Sequence, residues 1–271
     1  MKRRKKQMNK LIKAMVIGVG ISLMIVGSGH EASGKKETKK EASNDGKVTF
    51  YIARHGKTLF NTMDRVQGWS DTPLTEQGRE VAKDLGRGLK DIKFKSAYSS
   101  DLERARETAQ LVLATNGQKK LAITPKKTLR EACYGKFEGD FNENMKKAMA
   151  EYYGYETLDN NPLGKEMFEK GADAVSALDT EYHMGEDAKT IKERMQTTLK
   201  QMAKKEVKNG GGNVLVVGHG MSINIMVSDM TDKYTGEGLK NASVTKIIYN
   251  NGKFKVESIG DTSYFEKGKK E

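Results

Sequence analysis

Two apolar runs far apart in the chain end alike: Tyr51-Ile52-Ala53-Arg54-His55-Gly56 and Leu215-Val216-Val217-Gly218-His219-Gly220. Neither shows the polar alternation of a half-exposed strand, so both read as strands buried inside a sheet. In an open α/β sheet, ligands bind beyond the carboxyl ends of the strands, which sets His55 and His219 facing one pocket. Arg54 and His55 at a strand end are costly to bury unless something anionic sits beside them. The two endings therefore point to an anion site.

The rest of the pattern alternates strands with helices. Residues 48–53 predict the first strand. Thr75 is placed to cap a helix carrying Val81, Ala82, Leu85 and Leu89, and residues 94–98 predict a second strand. Ser100 and Glu103 have capping-box spacing ahead of a helix with Leu102, Ala105, Ala109 and Val112 on one face. Residues 121–124 and 214–217 predict further strands, the latter central, with a helix from about Met221. Asn250-Asn251-Gly252 between two alternating runs signals a hairpin. The expectation is an α/β fold of three layers, αβα, with a mainly parallel sheet and an antiparallel edge hairpin. The glycines at 210–212 lack the GK[ST] of a phosphate loop and read as a flexible turn before the central strand.

Composition excludes several classes. The lone Cys133 cannot form an intramolecular disulfide, and no Cys/His spacing suggests zinc. Of the formal charge of +12, +7 falls in residues 1–46, and no basic stripe interleaved with aromatics follows. Nucleic-acid binding is not expected. Residues 1–29 combine a cationic start with an uncharged, mostly apolar run of 16 residues from Ala14 to Gly29. That length lies between a signal peptide and a membrane anchor, so residues 1–29 are read as one or the other and the domain is expected to be exported, secreted or held at the outer face of the membrane. Residues 30–46 have almost no large apolar side chain and read as a disordered linker. The folded domain is expected over residues 47–271, and only the N-terminal segment is expected to touch a membrane.

"RHGKTLFN", "VQGWSDTPLTEQG", "YSSDLERARETA", "LREACYGKFEG" and "VVGHG" occur in this order. Together they resemble the histidine phosphatase superfamily, in its phosphoglycerate mutase-like branch. The resemblance covers nearly all of residues 48–260 and weakens between about 140 and 190. It implies that His55 is the nucleophile that takes the phosphoryl group, and that Arg54, Arg104 and His219 clamp the phosphate. Asn61 would bond a phosphate oxygen, Glu131 would be the proton donor to the leaving group, and Gln67, Gly68 and Gly220 would border the substrate. The expected ligand is a small phosphorylated substrate, with no cofactor or metal.

The chemistry is consistent with those roles. Imidazole is nucleophilic only when neutral, and nearby guanidinium groups disfavour its protonation. The same Arg54 and Arg104 can offer bidentate hydrogen bonds to phosphate oxygens. Helical geometry alone leaves Arg104 and Arg106 as alternatives; the resemblance picks Arg104 by its place before Ala105. Glu103 and Glu138 are the acidic rivals of Glu131. His183 has no motif around it and is assigned to the surface or to packing, and nothing next to Cys133 marks it as a reactive thiol.

Mutases of this family use an Arg pair after the Glu motif to hold the substrate carboxylate, and no Arg occurs here between Arg130 and Arg194. Residues 140–190 instead supply Lys146, Lys147, Tyr152, Tyr153, Tyr155 and Phe168, in a context that reads as a helical cap over the pocket. The expected activity is a metal-independent phosphomonoesterase acting through phosphohistidine at His55. The alternatives are a phosphoglycerate mutase-like phosphotransferase and a surface binding module for anions that lacks turnover.

Overall fold

The computed structural model describes residues 46–271. The expectations for residues 1–29, and for all but the last residue of the linker, lie outside the described residues. Six strands and eight α-helices follow in the order β1 (Val48–Arg54), α1 (Leu59–Thr62), α2 (Glu76–Gly88), β2 (Phe94–Ser100), α3 (Glu103–Thr115), β3 (Ile123–Lys126), α4 (Asn142–Tyr153), α5 (Met167–Leu178), α6 (Ala188–Lys208), β4 (Gly212–Gly218), α7 (Gly220–Val227), β5 (Val244–Asn250), β6 (Lys253–Asp261) and α8 (Ser263–Gly268). The strands form one sheet in the order β3-β2-β4-β1-β5-β6. The first four are mutually parallel, while β5 runs antiparallel to β1 and β6 antiparallel to β5. This is the αβα architecture of a phosphoglycerate mutase-like fold.

Strand periodicity divides the core in two. Phe50, Ile52, Val214 and Val216 point to one face, where Ile191, Met195 and Leu199 of α6 and Ile223 of α7 cover them. Tyr51, Ala53, Leu215 and Val217 point to the other, against Leu85 of α2, Ala105, Ala109 and Val112 of α3, and Phe265 of α8. Because both faces are covered, both central strands are mostly apolar, with Thr49 and Asn213 as polar positions near their starts, which is why they are legible as buried runs.

Local chemistry agrees with most of the expected elements. Thr75 caps α2 by accepting the Gly78 N–H at 3.0 Å. The β5–β6 turn places Asn251 and Gly252 at φ of 49° and 81°, the left-handed pair that a tight hairpin requires. Two details differ. The third strand lies at Ile123–Lys126, two residues later than expected, and carries Pro125, which is tolerated because β3 is an edge strand. The Ser100/Glu103 capping box does not form: α3 has Leu102 at its N-cap, and the Glu103 N–H is taken by the Asp71 carboxylate from a distant loop.

Helix α8 docks on α2 backbone to backbone. A Cβ added at Gly88 would lie 1.7 Å from the Tyr264 carbonyl, and one at Gly268 would lie 1.8 Å from the Asp84 carbonyl. No helix among the described residues is long and apolar enough to cross a membrane. Gly88→Ala or Gly268→Ala is expected to force α8 off α2 and to cost about 1–3 kcal/mol. Urea unfolding followed by circular dichroism measures this, and an unchanged midpoint in both variants would show that the contact is dispensable.

Candidate active site

The site is made where β1 and β4 end. Arg54 and Gly218 are register partners in the parallel ladder, so the residues that follow them, His55 and His219, leave the sheet side by side. Their ring centroids are 5.1 Å apart. The His55 N–H donates to the Gly218 carbonyl at 3.0 Å, tying the two strand ends together. Beyond them opens a cavity of about 580 Å³, lined by Arg54, His55, Asn61, Gln67, Glu131 and Gly220 among others.

His55 is buried, and its Nδ1 lies 2.8 Å from the Gly56 carbonyl oxygen. A carbonyl only accepts, so Nδ1 carries the proton and Nε2 keeps the lone pair. Burial, and then the charges of Arg104 and Arg54, hold the His55 imidazole well below its usual pKa. His219 is 0% exposed, and neither ring nitrogen has a partner among the described residues. Burial and the Arg104 charge also push its protonation well below the ordinary range. Both rings are neutral at neutral pH, so one is free to attack and the other to donate a single N–H.

The two guanidinium groups are held differently. Arg104 is 1% exposed and faces inward, whereas Arg106 is exposed and pairs with Glu103. Arg104 Nη1 donates to the Ser70 carbonyl and to Asp71 Oδ1, both at 2.9 Å, and Nη2 donates to the Gly68 carbonyl at 2.7 Å. Its Nε is buried without a partner. The expected bidentate grip from Arg104 is therefore corrected: the loop of residues 67–71 occupies its fork, and only the Nε N–H is left without a partner. Arg54 Nη1 donates to the Leu239 carbonyl at 2.5 Å, and its Nε is likewise buried and unpartnered. Gly220 makes room for Arg54, since a Cβ there would come within 3.2 Å of that Nε.

Glu131, 6% exposed, sits at the start of α7. Its Oε1 accepts the N–H groups of Ala132 and Ser222 at 3.1 and 2.7 Å, and Oε2 accepts that of Met221 at 3.0 Å. Its main-chain carbonyl is held by Arg194 Nη2 at 3.0 Å and Trp69 Nε1 at 3.2 Å. With Oε1 filled twice, Oε2 is the atom that can carry a proton. The acidic rivals are occupied elsewhere. Glu138 accepts backbone N–H groups from Gly68, Trp69, Ser70 and Tyr134, bracing the loop behind Arg104, and Glu103 is exposed.

Asn61 accepts the Thr58 N–H on Oδ1 at 3.2 Å, which turns its Nδ2 outward as a donor. Gln67 also lines the cavity, but both ends of its amide are engaged, by Thr58 Oγ1 at 2.6 Å and Thr72 Oγ1 at 3.0 Å. Gly68 does not border the cavity. It is packed so that a Cβ would lie 2.2 Å from the Ala132 carbonyl, and its carbonyl serves Arg104. Among the cap residues, Lys146 and Phe168 reach the lining, but Lys147, Tyr152, Tyr153 and Tyr155 do not; Tyr153 instead donates to the Lys170 carbonyl at 2.9 Å. His183 is exposed, and burial pushes the Cys133 thiol up, away from reactivity.

Three contributors were not legible in sequence. Asp71 orients Arg104, Arg194 holds the Glu131 segment while pairing with Glu186, and Asn224 borders the cavity. All act across long loops, so no local spacing marks them. Among the described residues no group of three or more His, Cys, Asp or Glu is arranged to hold a metal ion.

Comparison with known proteins places this geometry. The family model of the histidine phosphatase superfamily (branch 1) matches residues 50–262. A phosphoglycerate mutase crystal structure from Bacillus anthracis is 42% identical, with a TM-score of 0.78, and covers 84% of this chain and 99% of its own. The fructose-2,6-bisphosphatase TIGAR B of Danio rerio is 30% identical over 67% of this chain and 74% of its own length. A 2,3-bisphosphoglycerate-dependent phosphoglycerate mutase of Gloeobacter violaceus is 29% identical over 66% and 74%.

The depressed protonation of both histidines has a consequence for stability. The unfolded chain binds protons on them near pH 6.5 while the folded one does not. Their contribution is therefore complete above that pH and is lost as pH falls below it, by about 1 kcal/mol per pH unit for each ring. Histidine NMR resonances for His55 and His219 are expected to titrate well below the ordinary histidine range. The urea midpoint should fall as pH drops below about 6.5, less steeply in His219→Asn; a ring titrating at its ordinary value would contradict the geometry.

Proposed function

Because the chain belongs to the histidine phosphatase superfamily, we propose that it is a phosphomonoesterase that hydrolyses phosphate esters through a phosphohistidine on His55, without a metal. The observation that carries this is the ring of buried, unpartnered nitrogens around His55: Arg54 Nε, Arg104 Nε and both nitrogens of His219. Buried polar groups are ordinarily bonded, and the two guanidinium N–H groups together with the single N–H of neutral His219 suit the oxygens of one phosphoryl group.

In the proposed reaction His55 Nε2 attacks phosphorus as the ester oxygen leaves. Arg54, Arg104, His219 and the Asn61 amide hold the equatorial oxygens, where charge is concentrated during transfer. Glu131 hands a proton from Oε2 to the departing alkoxide. Its carboxylate then takes a proton from water as that water attacks phospho-His55, the N–P bond breaks, and inorganic phosphate is released with Glu131 protonated again. A positioned acid of this kind is worth about 10²–10⁴ in rate.

Hydrolysis is preferred over mutase chemistry because Arg194, the first arginine after the Glu131 motif, is spent on Glu186 and main-chain carbonyls. The 42% identity to a structure named a phosphoglycerate mutase favours the phosphotransferase as the second reading; Arg65 and Lys146 on the lining are the cations that could meet a carboxylate. Export of the domain by residues 1–29 belongs to the same proposal, and cell fractionation tests it.

The deciding assay uses para-nitrophenyl phosphate with chelator across about pH 4 to 9. Turnover is expected to survive chelator, to vanish in His55→Ala and to fall by about 10²–10⁴ in Glu131→Gln. No hydrolysis, together with interconversion of phosphoglycerate isomers that depends on a bisphosphorylated primer, would establish the phosphotransferase instead. Tight phosphate binding with neither activity would establish the binding module.

A further inference from the structure

Asn224, on the second turn of α7, borders the cavity and is 0% exposed, and neither its Oδ1 nor its Nδ2 has a partner among the described residues. The serine hydroxyls near it on this segment have partners: that of Ser222 reaches the His219 carbonyl at 3.5 Å, and that of Ser228 reaches the Ile225 carbonyl and Glu169 at 3.0 and 2.9 Å. A carboxamide buried with both donor and acceptor empty is costly, and such groups in folded proteins are kept where something arrives to fill them.

Its surroundings restrict what that something is. The lining it shares includes Met145, Met149, Met167, Phe168, Met221 and Leu239, with Asn142 and Asn161 among its polar members. Of the charged residues beyond the anion site, Lys146, Asp159 and Glu237 are exposed and Arg65 is half-buried. Thioether side chains adapt to irregular apolar shapes but offer no strong hydrogen bond. A polyol or sugar phosphate would strand several hydroxyl groups against the thioether part of this wall. One hydroxyl or amide that both donates and accepts is what the two adjacent atoms of the carboxamide can satisfy.

We propose that Asn224 is the specificity-determining residue of the leaving-group half of the cavity, which takes phosphate monoesters of a largely apolar alcohol bearing one further hydroxyl or amide. The inference rests on the phosphatase reading for its substrate role, but its binding prediction stands apart from turnover.

The test uses two series of non-hydrolysable alkylphosphonates of increasing chain length, one plain and one ending in a hydroxyl, with affinities measured by calorimetry for the full chain. In the wild type, the hydroxyl is expected to improve affinity by about tenfold or more at one chain length, as sites built to bond a hydroxyl discriminate against its absence. In Asn224→Leu, of similar volume, that advantage is expected to shrink to less than about twofold. Asn224→Ala repeats the comparison should the leucine variant fail to fold. A hydroxyl advantage absent at every length, or equally large in the variants, would overturn the proposal and leave Asn224 a structural residue. A structural role alone would weaken both series together and leave their ratio unmoved. The matching alkyl phosphates are assayed in parallel for release of inorganic phosphate. Binding that discriminates without hydrolysis would sustain the Asn224 subsite and reject the phosphatase reading.

Discussion

The parallel pairing of β1 with β4 is the constraint on which the site depends. Arg54 sits opposite Gly218 in that ladder, so the chain must leave both strands at the same level, and two imidazoles are delivered to one spot. Parallel neighbours need long crossover connections. Here the connections between β1 and β4 carry α1 to α6, and those segments supply Arg104, Glu131 and the cavity wall. The strand pair and the furniture of the site are thus consequences of one topology.

Concentrating Arg54, Arg104 and two histidines in one buried place requires compensation. Asp71 meets Arg104 directly at 2.9 Å, and Glu138 braces the loop whose carbonyls fill the Arg104 fork. The histidines respond by remaining neutral, because burial and the arginine charges oppose protonation together. Neutrality is what a nucleophile needs, so the crowding of cations suits the role proposed for His55. Glu131 is positioned by peptide N–H groups at the start of α7 rather than by a cation, which leaves the arginines for the anion.

Specificity is built from a different part of the chain. Helices α4 and α5 supply methionines and Phe168 to the wall, and α7 adds Met221 and Asn224 beside Glu131. The end of the cavity beside the two histidines is polar and rigidly bonded; the rest mixes methionines with polar and charged side chains. The cap can therefore vary without disturbing the bonds that hold the two histidines and Glu131.

Much of this was legible in the residues themselves. Apolar runs at 48–53 and 214–217 marked the central strands because burial on both faces leaves little room for polar positions, Thr75 marked a helix start, and Asn251-Gly252 marked the hairpin. The strand endings and the ordered motifs singled out His55, His219, Arg54, Arg104 and Glu131, which the fold brings together. The structure alone decided that Asp71, not Ser100, caps α3, that the Arg104 fork is already filled, that Gly68 serves packing rather than the cavity, and that Asn224 borders it. Local preferences are set by neighbours a few residues away and so are written along the chain. Which donor meets which acceptor across dozens of residues is settled only when the sheet's strand order brings them within reach.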